Sequence, residues 1–408
     1  MRTNKESLEK IVQTYYLDKS HFTLHKSHYN GENMPNGTDY QSISWKTDLS
    51  HTPRNVFRQM RSIAYKPFRH FKDTTPTKYP LKSIIKGEAY YEFQKFYKVS
   101  HFWSGHFQLK NNLVIPKKTD LLYPCSNGFI HNSLTEFKEK KITIEEGLHP
   151  ITMDYNENIV SLGTSNGKLI LYNLDKQETV YNKVIIGNNS HNNCVTFFKQ
   201  KGTMKLACGG DDNRLLIYDI NNNDIKLSLE TETDKSVNNI KSSPDGNLLI
   251  VQTDQKEVDV FDIRNGKIIT KLIGHEDYGF TGDWHPDGIH IATGNQDCTC
   301  RIWDLRKPKK AVNILQAHLG SVSAVKYSKT GENLIVGENI DFTSIYNVEN
   351  NYNDMQVIDY FGEVLGLNFD NEDGESLFFG VMLQKYNGIF EFNLKKAKYF
   401  NSLSNFMF

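Results

Sequence analysis

The sequence has few of the features that mark membrane, secreted or disulfide-bonded proteins. Its 408 residues include only five cysteines, an odd number without the spacing of a disulfide framework, which indicates a reducing compartment. No apolar run approaches the ~20 residues that a membrane span needs. The first residues, MRTNKESLEKIVQTYY, lack the apolar core of a secretory signal. We therefore expect a cytoplasmic or nuclear protein without membrane attachment.

Motifs for metal, cofactor or catalytic chemistry are also scarce. No Gly-rich phosphate loop precedes a predicted helix, and the H-E-x-x-H pattern is absent. Alternation along a strand would place the sulfur atoms of Cys298 and Cys300 on one face, but no further ligand follows at metal-binding spacing. The sequence therefore predicts a non-enzymatic protein without a metal or a cofactor.

The main positive feature is a repeated strand. An apolar run ending in an aromatic residue and Asp or Asn recurs as LILYN, LLIYD, VDVFD, CRIWD, TSIYN and GIFEFN, with GFIHN as a weaker member. The repeats end at Asn132, Asn173, Asp219, Asp262, Asp304, Asn347 and Asn393, in steps of 41 to 46 residues. This is the length of a four-stranded propeller blade. Because closing a ring removes free sheet edges, the predicted fold is all-β, a seven-bladed β-propeller.

Residues 274–306, GHEDYGFTGDWHPDGIHIATGNQDCTCRIWDLR, form the most complete repeat. The segment runs from Gly-His to Trp-Asp and is broken by two turn sequences, HPDG and GNQD. It resembles the WD40 repeat, in which a His, a Ser or Thr, an Asp and a Trp form a hydrogen-bonded set. The resemblance implies that this structural tetrad consists here of His275, Thr293, Asp297 and Trp303. Most other repeats carry Tyr or Phe in place of the Trp.

The predicted propeller, residues 86–400, lies between a leader and a short tail. The leader, residues 1–85, is polar and expected to be partly disordered at first, then basic. Residues 54–98 contain eleven Lys or Arg against three acids, so the rest of this neutral chain is acidic. Charge complementarity favours a leader that lies across the ring, and contact with RNA is the alternative.

Two further elements are expected in the leader. Val56, Met60 and Ile63 lie at helical spacing, which predicts a short amphipathic helix. The near-alternating aromatic stretch after Pro80 predicts that Tyr90–Val99 is the strand that closes the last blade.

The tail, residues 401–408, ends in Phe406, Met407 and Phe408. Aromatic and Met side chains are enriched at interface anchors. We therefore expect these residues to dock into another subunit, such as the scaffold of a ligase. The alternative is that the tail itself is the closing strand.

Five segments resemble one family of fungal and plant WD40 proteins. They are DYQSISW (39–45), HFQLKNNLV (106–114), GHEDYGF (274–280), ATGNQDCTCRIWDLR (292–306) and IDYFGEVLGLNFD (358–370). In fungi, a member of this family is a substrate receptor of the GID E3 ubiquitin ligase and recognises proteins by their N-terminal residue. The resemblance implies a substrate receptor whose partners are a ligase scaffold subunit and substrate N-termini. A general scaffold and an RNA-associated propeller are the alternatives.

Loops at one end of blades five to seven combine aromatic residues with acids. Carboxylates accept charge-assisted hydrogen bonds from an α-ammonium group, and rings supply apolar walls or cation–π contacts. The predicted peptide face comprises Asp277, Tyr278, Phe280, Asn295, Gln296, Asp341, Phe342, Tyr360, Phe361, Glu363 and Tyr386. The alternative is that the acids are merely solvated and that several of the rings pack between blades.

Overall fold

The protein is almost entirely β-structured in the residues that the structure describes. The computed structural model describes residues 41, 43, 52–71, 77–84, 90–99, 102, 109, 112–136, 138–187, 190–221, 224–383 and 386–395. Over these ranges one helix, α1 (Arg54–Ala64), precedes 28 strands. No helix in this part of the chain is long and apolar enough to cross a membrane. The predicted all-β class is confirmed.

Five four-stranded antiparallel sheets follow one another along the chain. The first contains β3 (Val114–Lys117), β4 (Asp120–Cys125), β5 (Gly128–Ser133) and β6 (Lys138–Thr143). The second contains β7 (Pro150–Asn156), β8 (Ile159–Thr164), β9 (Lys168–Asn173) and β10 (Glu178–Val184). The third contains β11 (Asn192–Gln200), β12 (Thr203–Gly210), β13 (Arg214–Asn221) and β14 (Asp224–Glu232). The fourth contains β15 (Val237–Ser242), β16 (Leu248–Thr253), β17 (Val258–Asp262) and β18 (Lys267–Leu272). The fifth contains β19 (Gly279–Trp284), β20 (His290–Asn295), β21 (Thr299–Asp304) and β22 (Asn313–Gln316).

The remaining strands form one eight-stranded sheet. Its members are β1 (Ser83–Ile84), β2 (Tyr91–Lys98), β23 (Val322–Tyr327), β24 (Asn333–Glu338), β25 (Ile340–Asn347), β26 (Asp354–Phe369), β27 (Ser376–Met382) and β28 (Gly388–Leu394). The long strand β26 pairs with β25 along its first half and with β27 along its second half. The sheet therefore contains two four-stranded groups that share β26.

The sheets are arranged as a closed ring. The first strands of successive sheets, β3, β7, β11, β15, β19 and β23, contact one another in chain order, and β26 contacts both β23 and β3. Backbone hydrogen bonds join the two ends of this series, from Asn112 N–H to Leu365 O (3.2 Å) and from Asn371 N–H to Ile115 O (3.2 Å). This is the propeller-like arrangement that the repeats predict.

The repeated dipeptides lie in the third strand of each four-stranded group. Asn173, Asp262 and Asp304 are the last residues of β9, β17 and β21. The apolar residues that precede them are buried between adjacent sheets. In one such layer, Val258 and Val260 of the fourth sheet pack with Ile291 and Trp303 of the fifth. Alternation along each strand thus supplies the core between blades.

The leader supplies the outermost strand of the eight-stranded sheet. Strand β2 pairs antiparallel with β28, from Tyr91 opposite Leu394 to Lys98 opposite Gly388. The prediction that Tyr90–Val99 closes the last blade is therefore confirmed over Tyr91–Lys98. Strand β2 thus occupies the edge of β28 on which the alternative, closure by the tail, depends. Phe406, Met407 and Phe408 lie outside the described residues, and their docking stays a prediction.

The expectation for the CTC sequence is wrong. Cys298 lies in the turn before β21 with a φ of 64°, whereas Cys300 is within the strand and fully buried. The two sulfur atoms therefore do not share one face of a strand. All five cysteines are free thiols.

Candidate functional site

The four residues of the predicted WD40 tetrad form one hydrogen-bonded chain. The indole N–H of Trp303 donates to Thr293 Oγ1 at 2.7 Å, and Thr293 Oγ1 lies 2.8 Å from His275 Nε2. His275 Nδ1 lies 2.9 Å from Asp297 Oδ2, which also accepts the backbone N–H of Glu276 at 2.9 Å. With the indole donating to Thr293, the chain is satisfied when the hydroxyl donates to Nε2 and Nδ1–H donates to Asp297. The tetrad therefore ties the loop at residues 275–276 to the turn before β21.

The environment of Asp297 keeps its carboxylate charged. Burial alone would raise the pKa of Asp297, but the neighbouring His275 and the hydrogen bonds from His275, Thr299 and Glu276 lower it to about 2. A buried carboxylate with this set of partners is a structural anchor. It holds the loop that carries Asp277 and Tyr278.

A second cluster, on β25 and β26, has the chemistry of a cation site. We call Asp341, Phe342, Asp359 and Phe361 the carboxylate–aromatic cage. Phe342 on β25 is paired with Asp359 on β26, and the register shifts between Ile340 and Phe342, so that Asp341 is left as a bulge. Asp341 has a φ of 69° and a fully buried side chain. The bulge directs the Asp341 carboxylate toward β26, where Oδ1 accepts the N–H of Gly362 at 2.9 Å.

Helix α1 of the leader occupies this cage. Arg58 Nη1 donates to Asp341 Oδ2 at 2.6 Å, and its Nη2 donates to Asp359 Oδ1. The guanidinium carbon lies 4.0 Å from the centroid of the Phe361 ring and 4.6 Å from that of Phe342. The Arg58 side chain is only 2% exposed. A planar cation thus contacts two rings and two carboxylates, a set of partners that suits a guanidinium.

Two further arginines of α1 flank Arg58. Arg54 Nη2 lies 3.0 Å from Asp359 Oδ1, and Arg61 donates through Nε and Nη2 to the two oxygens of Asp341, each at 2.7 Å. The three arginines lie at positions i, i+4 and i+7 and so share one face of the helix. The expectation that the basic leader lies across the ring by charge complementarity is confirmed for α1.

The ion pairs are reflected in the acid–base properties of both partners. Burial would lower the pKa of Arg58, but Asp359 and Asp341 outweigh this effect and raise it. Burial would likewise raise the pKa of Asp359, but Arg58 and Arg54 lower it. Each charge therefore stabilises the other in a site that excludes most solvent.

The buried face of α1 differs from the predicted one. Val56 and Ile63 are 41% and 47% exposed, whereas Arg54 and Arg58 are the buried residues. The predicted short helix is therefore confirmed over Arg54–Ala64, but Val56 and Ile63 do not form its buried face. The reason is that the surface beneath the helix offers buried carboxylates, which must be paired with cations to be tolerated there.

The leader also covers the loop around Asp277. His70 Nδ1 lies 3.0 Å from Asp277 Oδ1, and the His70 ring stacks on Tyr278 with centroids 3.8 Å apart. Phe71 meets the same Tyr278 ring edge-on. Gln296 donates to the carbonyl of Phe68. Two members of the predicted peptide face, Asp277 and Asp341, are thus both in contact with the leader.

Other members of the predicted face do not face the surface. Phe280 lines the central channel, and Tyr360 is buried in the core with its hydroxyl 3.0 Å from Thr343 Oγ1. Asn295 is fully buried and donates to the carbonyl of Asp277 at 2.7 Å. Tyr386 is buried beside Phe361. Placing these side chains on an open surface was wrong, because each completes packing beneath the loops.

Of the acids on the predicted face, Glu363 remains on the surface. It is exposed on β26, where it lies opposite both Ile340 of β25 and Met382 of β27. The structure thus brings Asp341, Phe342 and Phe361 together in one cage, with Glu363 on the same strand as Phe361. Asp277, Tyr278 and Gln296 form a separate group beneath His70.

Sequence reasoning missed a polar cluster in the central channel. Lys241 and Lys326 of the inner strands line a cavity of about 60 Å³ together with Asp154 and Asp283. Burial and the neighbouring Lys241 lower the pKa of Lys326 to about 8. Asp283 Oδ2 also accepts the N–H of Tyr327 at 2.9 Å. A polar residue in an alternating strand is expected to face solvent, so the sequence gives no signal that these lysines face the ring axis.

A group of three potential metal ligands occurs in the HPDG turn and at the start of β20. The ligand atoms of His285, Asp287 and His290 lie within 4.8 Å of one another. However, Asp287 N–H donates to His285 Nδ1 at 3.1 Å, and His285 Nε2 lies 3.2 Å from Gly331 O. These hydrogen bonds engage both ring nitrogens of His285, and the group is explained as part of the turn.

Comparison with known families identifies the repeats. The profile of the WD domain, G-beta repeat, matches residues 266–304. The profile of the anaphase-promoting complex subunit 4 WD40 domain matches residues 203–278. Residues 203–304 therefore match WD40 models, in agreement with the tetrad and the sheet arrangement.

Similar proteins cover only parts of the chain. WD repeat-containing protein 1-B of Xenopus laevis is 30% identical over 120 residues, 29% of this chain and 20% of the relative. DDB1- and CUL4-associated factor 10 of Xenopus tropicalis is 35% identical over 116 residues, 28% and 25% of the two chains. Pre-mRNA-processing factor 19 of Dictyostelium discoideum is 22% identical over 244 residues, 55% and 46%. The chain thus spans less than half the length of these relatives.

A solved structure shares the fold. A chain in the crystal structure of the mitotic checkpoint complex superposes with a TM-score of 0.65 at 14% sequence identity, covering 81% of this chain and 99% of that chain. At this identity the likeness concerns the fold alone.

Proposed function

We propose that this protein is a non-enzymatic substrate receptor that recruits other proteins to a ubiquitin ligase. In this proposal the eight-stranded sheet counts as two blades, so that the ring has seven. The observation that carries the proposal is the carboxylate–aromatic cage, in which Asp341 and Asp359 sit beside two rings and are built to bind a cationic group of a peptide. WD40 domains serve in protein interaction, and fold alone does not decide the partner.

Two likenesses point to ubiquitin ligases. One is the resemblance of IDYFGEVLGLNFD (358–370) and other segments to the family that includes the WD40 receptor of the GID ligase. The other is 35% identity to a protein named for its association with DDB1 and CUL4. Both concern part of the chain, and both support the same class of function.

Substrate recognition is proposed to involve the N-terminal residue of the substrate. Asp277, Asp341 and Glu363 supply carboxylates that an α-ammonium group can use. His70 contacts Asp277, and Arg58 and Arg61 contact Asp341, so a substrate has to replace leader residues to reach these two acids. Carboxylates of the propeller already bind the arginines of α1. Because the same groups would have to bind RNA phosphates, RNA binding by this helix is disfavoured.

Affinity purification of the full chain from its own cells tests the proposal. A matched variant lacking residues 405–408 tests the docking of the tail. We expect ligase subunits to co-purify with the full chain, and the shortened chain to fold normally but to lose them. A stable set of partners without any ligase subunit would favour the general scaffold instead.

A further inference from the structure

The cage recognises a specific chemical group, a guanidinium. Arg58 bridges Asp341 and Asp359 from its two terminal nitrogens while its guanidinium carbon lies 4.6 Å from the Phe342 centroid and 4.0 Å from the Phe361 centroid. A lysine ammonium is a point charge and cannot bridge both acids while stacking on both rings. An α-ammonium group can pair with one of the acids, such as Asp341, but as a compact charge it has the same limitation. The cage is therefore built for arginine more than for any other cation in proteins.

On the propeller side of the cage, Asp341 has a partner that is independent of Arg58. Asp341 adopts left-handed backbone with a φ of 69°, and its carboxylate is fixed by the N–H of Gly362 at 2.9 Å. Asp341 and Phe342 lie on β25, and Asp359 and Phe361 lie on the adjacent β26. A rigid sheet thus presents the two acids and the two rings.

Helix α1, in contrast, depends on the cage. It has 11 residues, Pro53 at its N-cap makes no side-chain hydrogen bond, and its first turn contains no acid. Isolated helices of this length are marginal in water. Its buried residues are Arg54 and Arg58, and Phe57 packs edge-on against Phe361 in a small cluster that is separate from the core between the blades. The helix can therefore leave the ring without opening the apolar core between the blades.

We propose that the cage is a binding site for an arginine side chain of a partner protein, and that α1 is a built-in competitor that covers the site until such a partner displaces it. The proposal rests on the receptor function above and names the feature that a substrate presents. When an arginine of the partner replaces Arg58, both Asp341 and Asp359 stay paired with a cation. The displacement therefore avoids the large free-energy cost of a buried, unpaired charge. An arginine-bearing helix reproduces the contacts of Arg54, Arg58 and Arg61 in full.

Competition in trans tests this exchange on the full chain. The probe is a fluorescent, N-acetylated peptide with the sequence TPRNVFRQMRSIA (residues 52–64), and a second probe carries lysine at all three arginine positions. Binding is measured by anisotropy to the wild type, to Arg58→Met and to Ile63→Ala, an exposed position on the same helix. We expect Arg58→Met to bind the arginine probe at least tenfold more tightly than the wild type, and Ile63→Ala to bind it like the wild type. The lysine probe should bind at least tenfold more weakly than the arginine probe.

A second variant and a second measurement separate displacement from misfolding. Adding Asp359→Asn to Arg58→Met should abolish the gain, while thermal unfolding shows that each variant is folded. Saturating the wild type with the arginine probe should also remove hydrogen-exchange protection from residues 54–64. Equal binding of both probes, no gain in Arg58→Met, or retained protection of α1 in the saturated complex would overturn the proposal.

The receptor function and the guanidinium site can be tested independently of each other. If probes with free and acetylated N-termini bind alike and only the arginines matter, recognition of the N-terminus is wrong while the guanidinium site stands. If ligase subunits do not co-purify but the arginine probe displaces α1, the site stands as that of a general interaction protein.

Discussion

The guanidinium carbon of Arg58 lies 4.0 Å from the centroid of the Phe361 ring, although the two residues are more than 300 positions apart in the chain. The same guanidinium donates to Asp341 on the neighbouring strand at 2.6 Å. The leader therefore occupies the very surface that combines acids and aromatic rings. Access to this surface depends on how firmly the helix is held.

Conservative replacement of Arg58 should loosen α1. Arg58→Lys keeps the charge but cannot bridge Asp341 and Asp359, so we expect docking of the helix to weaken by about 1–3 kcal/mol. Thermolysin digestion of the native protein measures this, because Val56 and Ile63 become cleavable when the helix detaches. Asn55→Lys, on the exposed side, is the matched control and should leave the rate unchanged. Equal cleavage rates for Arg58→Lys and the wild type would show that bridging of the two acids by the guanidinium does not hold the helix.

Trp303 should be a main anchor of the ring. Its side chain is fully buried and its N–H is paired with Thr293, so Trp303→Ala is expected to cost about 3–5 kcal/mol. Thr293→Val keeps the side-chain shape but leaves the Trp303 indole and His275 without this hydrogen-bond partner, and should lower the free energy of unfolding by about 1–3 kcal/mol. Urea denaturation measures both, with the exposed Ile269→Ala as control. A loss below about 1 kcal/mol for Trp303→Ala would refute the role of the tetrad.

The closing strand β2 should be essential for stability. Tyr91 is fully buried, and its backbone N–H and C=O pair with the Gln356 side chain at 2.9 and 2.8 Å. We expect Tyr91→Ala to cost about 3–5 kcal/mol, because it opens a cavity in the last sheet. Glu92→Ala, its exposed neighbour, should change stability by less than about 0.5 kcal/mol. Similar denaturation midpoints for both variants would mean that β2 does not close the ring.

Stability should fall in acid as Asp297 is protonated. The pKa of this group is about 2 in the folded protein and about 3.9 in an unfolded chain. A lowered folded-state pKa contributes stability that is fully present above about pH 4 and is lost as the pH falls through 2; the amount is about 2–3 kcal/mol. Denaturation of the wild type and of Asp297→Asn between pH 2 and 6 measures it. If the free energy of unfolding depends on pH equally in both proteins, the lowered pKa of Asp297 is not the cause of the acid sensitivity.

Local periodicity was enough to predict the fold but not the site. The spacing of the repeated dipeptides and the aromatic alternation near Tyr91 are local signals, and each led to the observed strand. The tetrad was likewise found from one segment, because all four residues lie within a single repeat. The face of α1 could not be found in this way. Its apolar spacing through Val56 and Ile63 was the stronger local pattern, whereas the arginine face depends on acids far along the chain.

The same reason explains the errors on the predicted peptide face. The acids and rings around Asp341 were identified as a cation site, but the sequence could not show that Arg58 already fills it. Nor could it show that Phe280 and Tyr360 turn inward, because the sequence places them in loops whereas both lie within strands, β19 and β26. Contacts between remote segments decide both outcomes.

Hydrogen exchange of the α1 amides tests most directly the claim that the cage holds the leader on the ring. The comparison is between the wild type and Asp359→Asn, which removes the charge beside Arg54 and Arg58 but keeps the side-chain shape. We predict that residues 54–64 are protected in the wild type and exchange at least tenfold faster in the variant, while β20 and β21 keep their protection. Unprotected α1 amides in the wild type, or equal exchange in both proteins, would contradict the account.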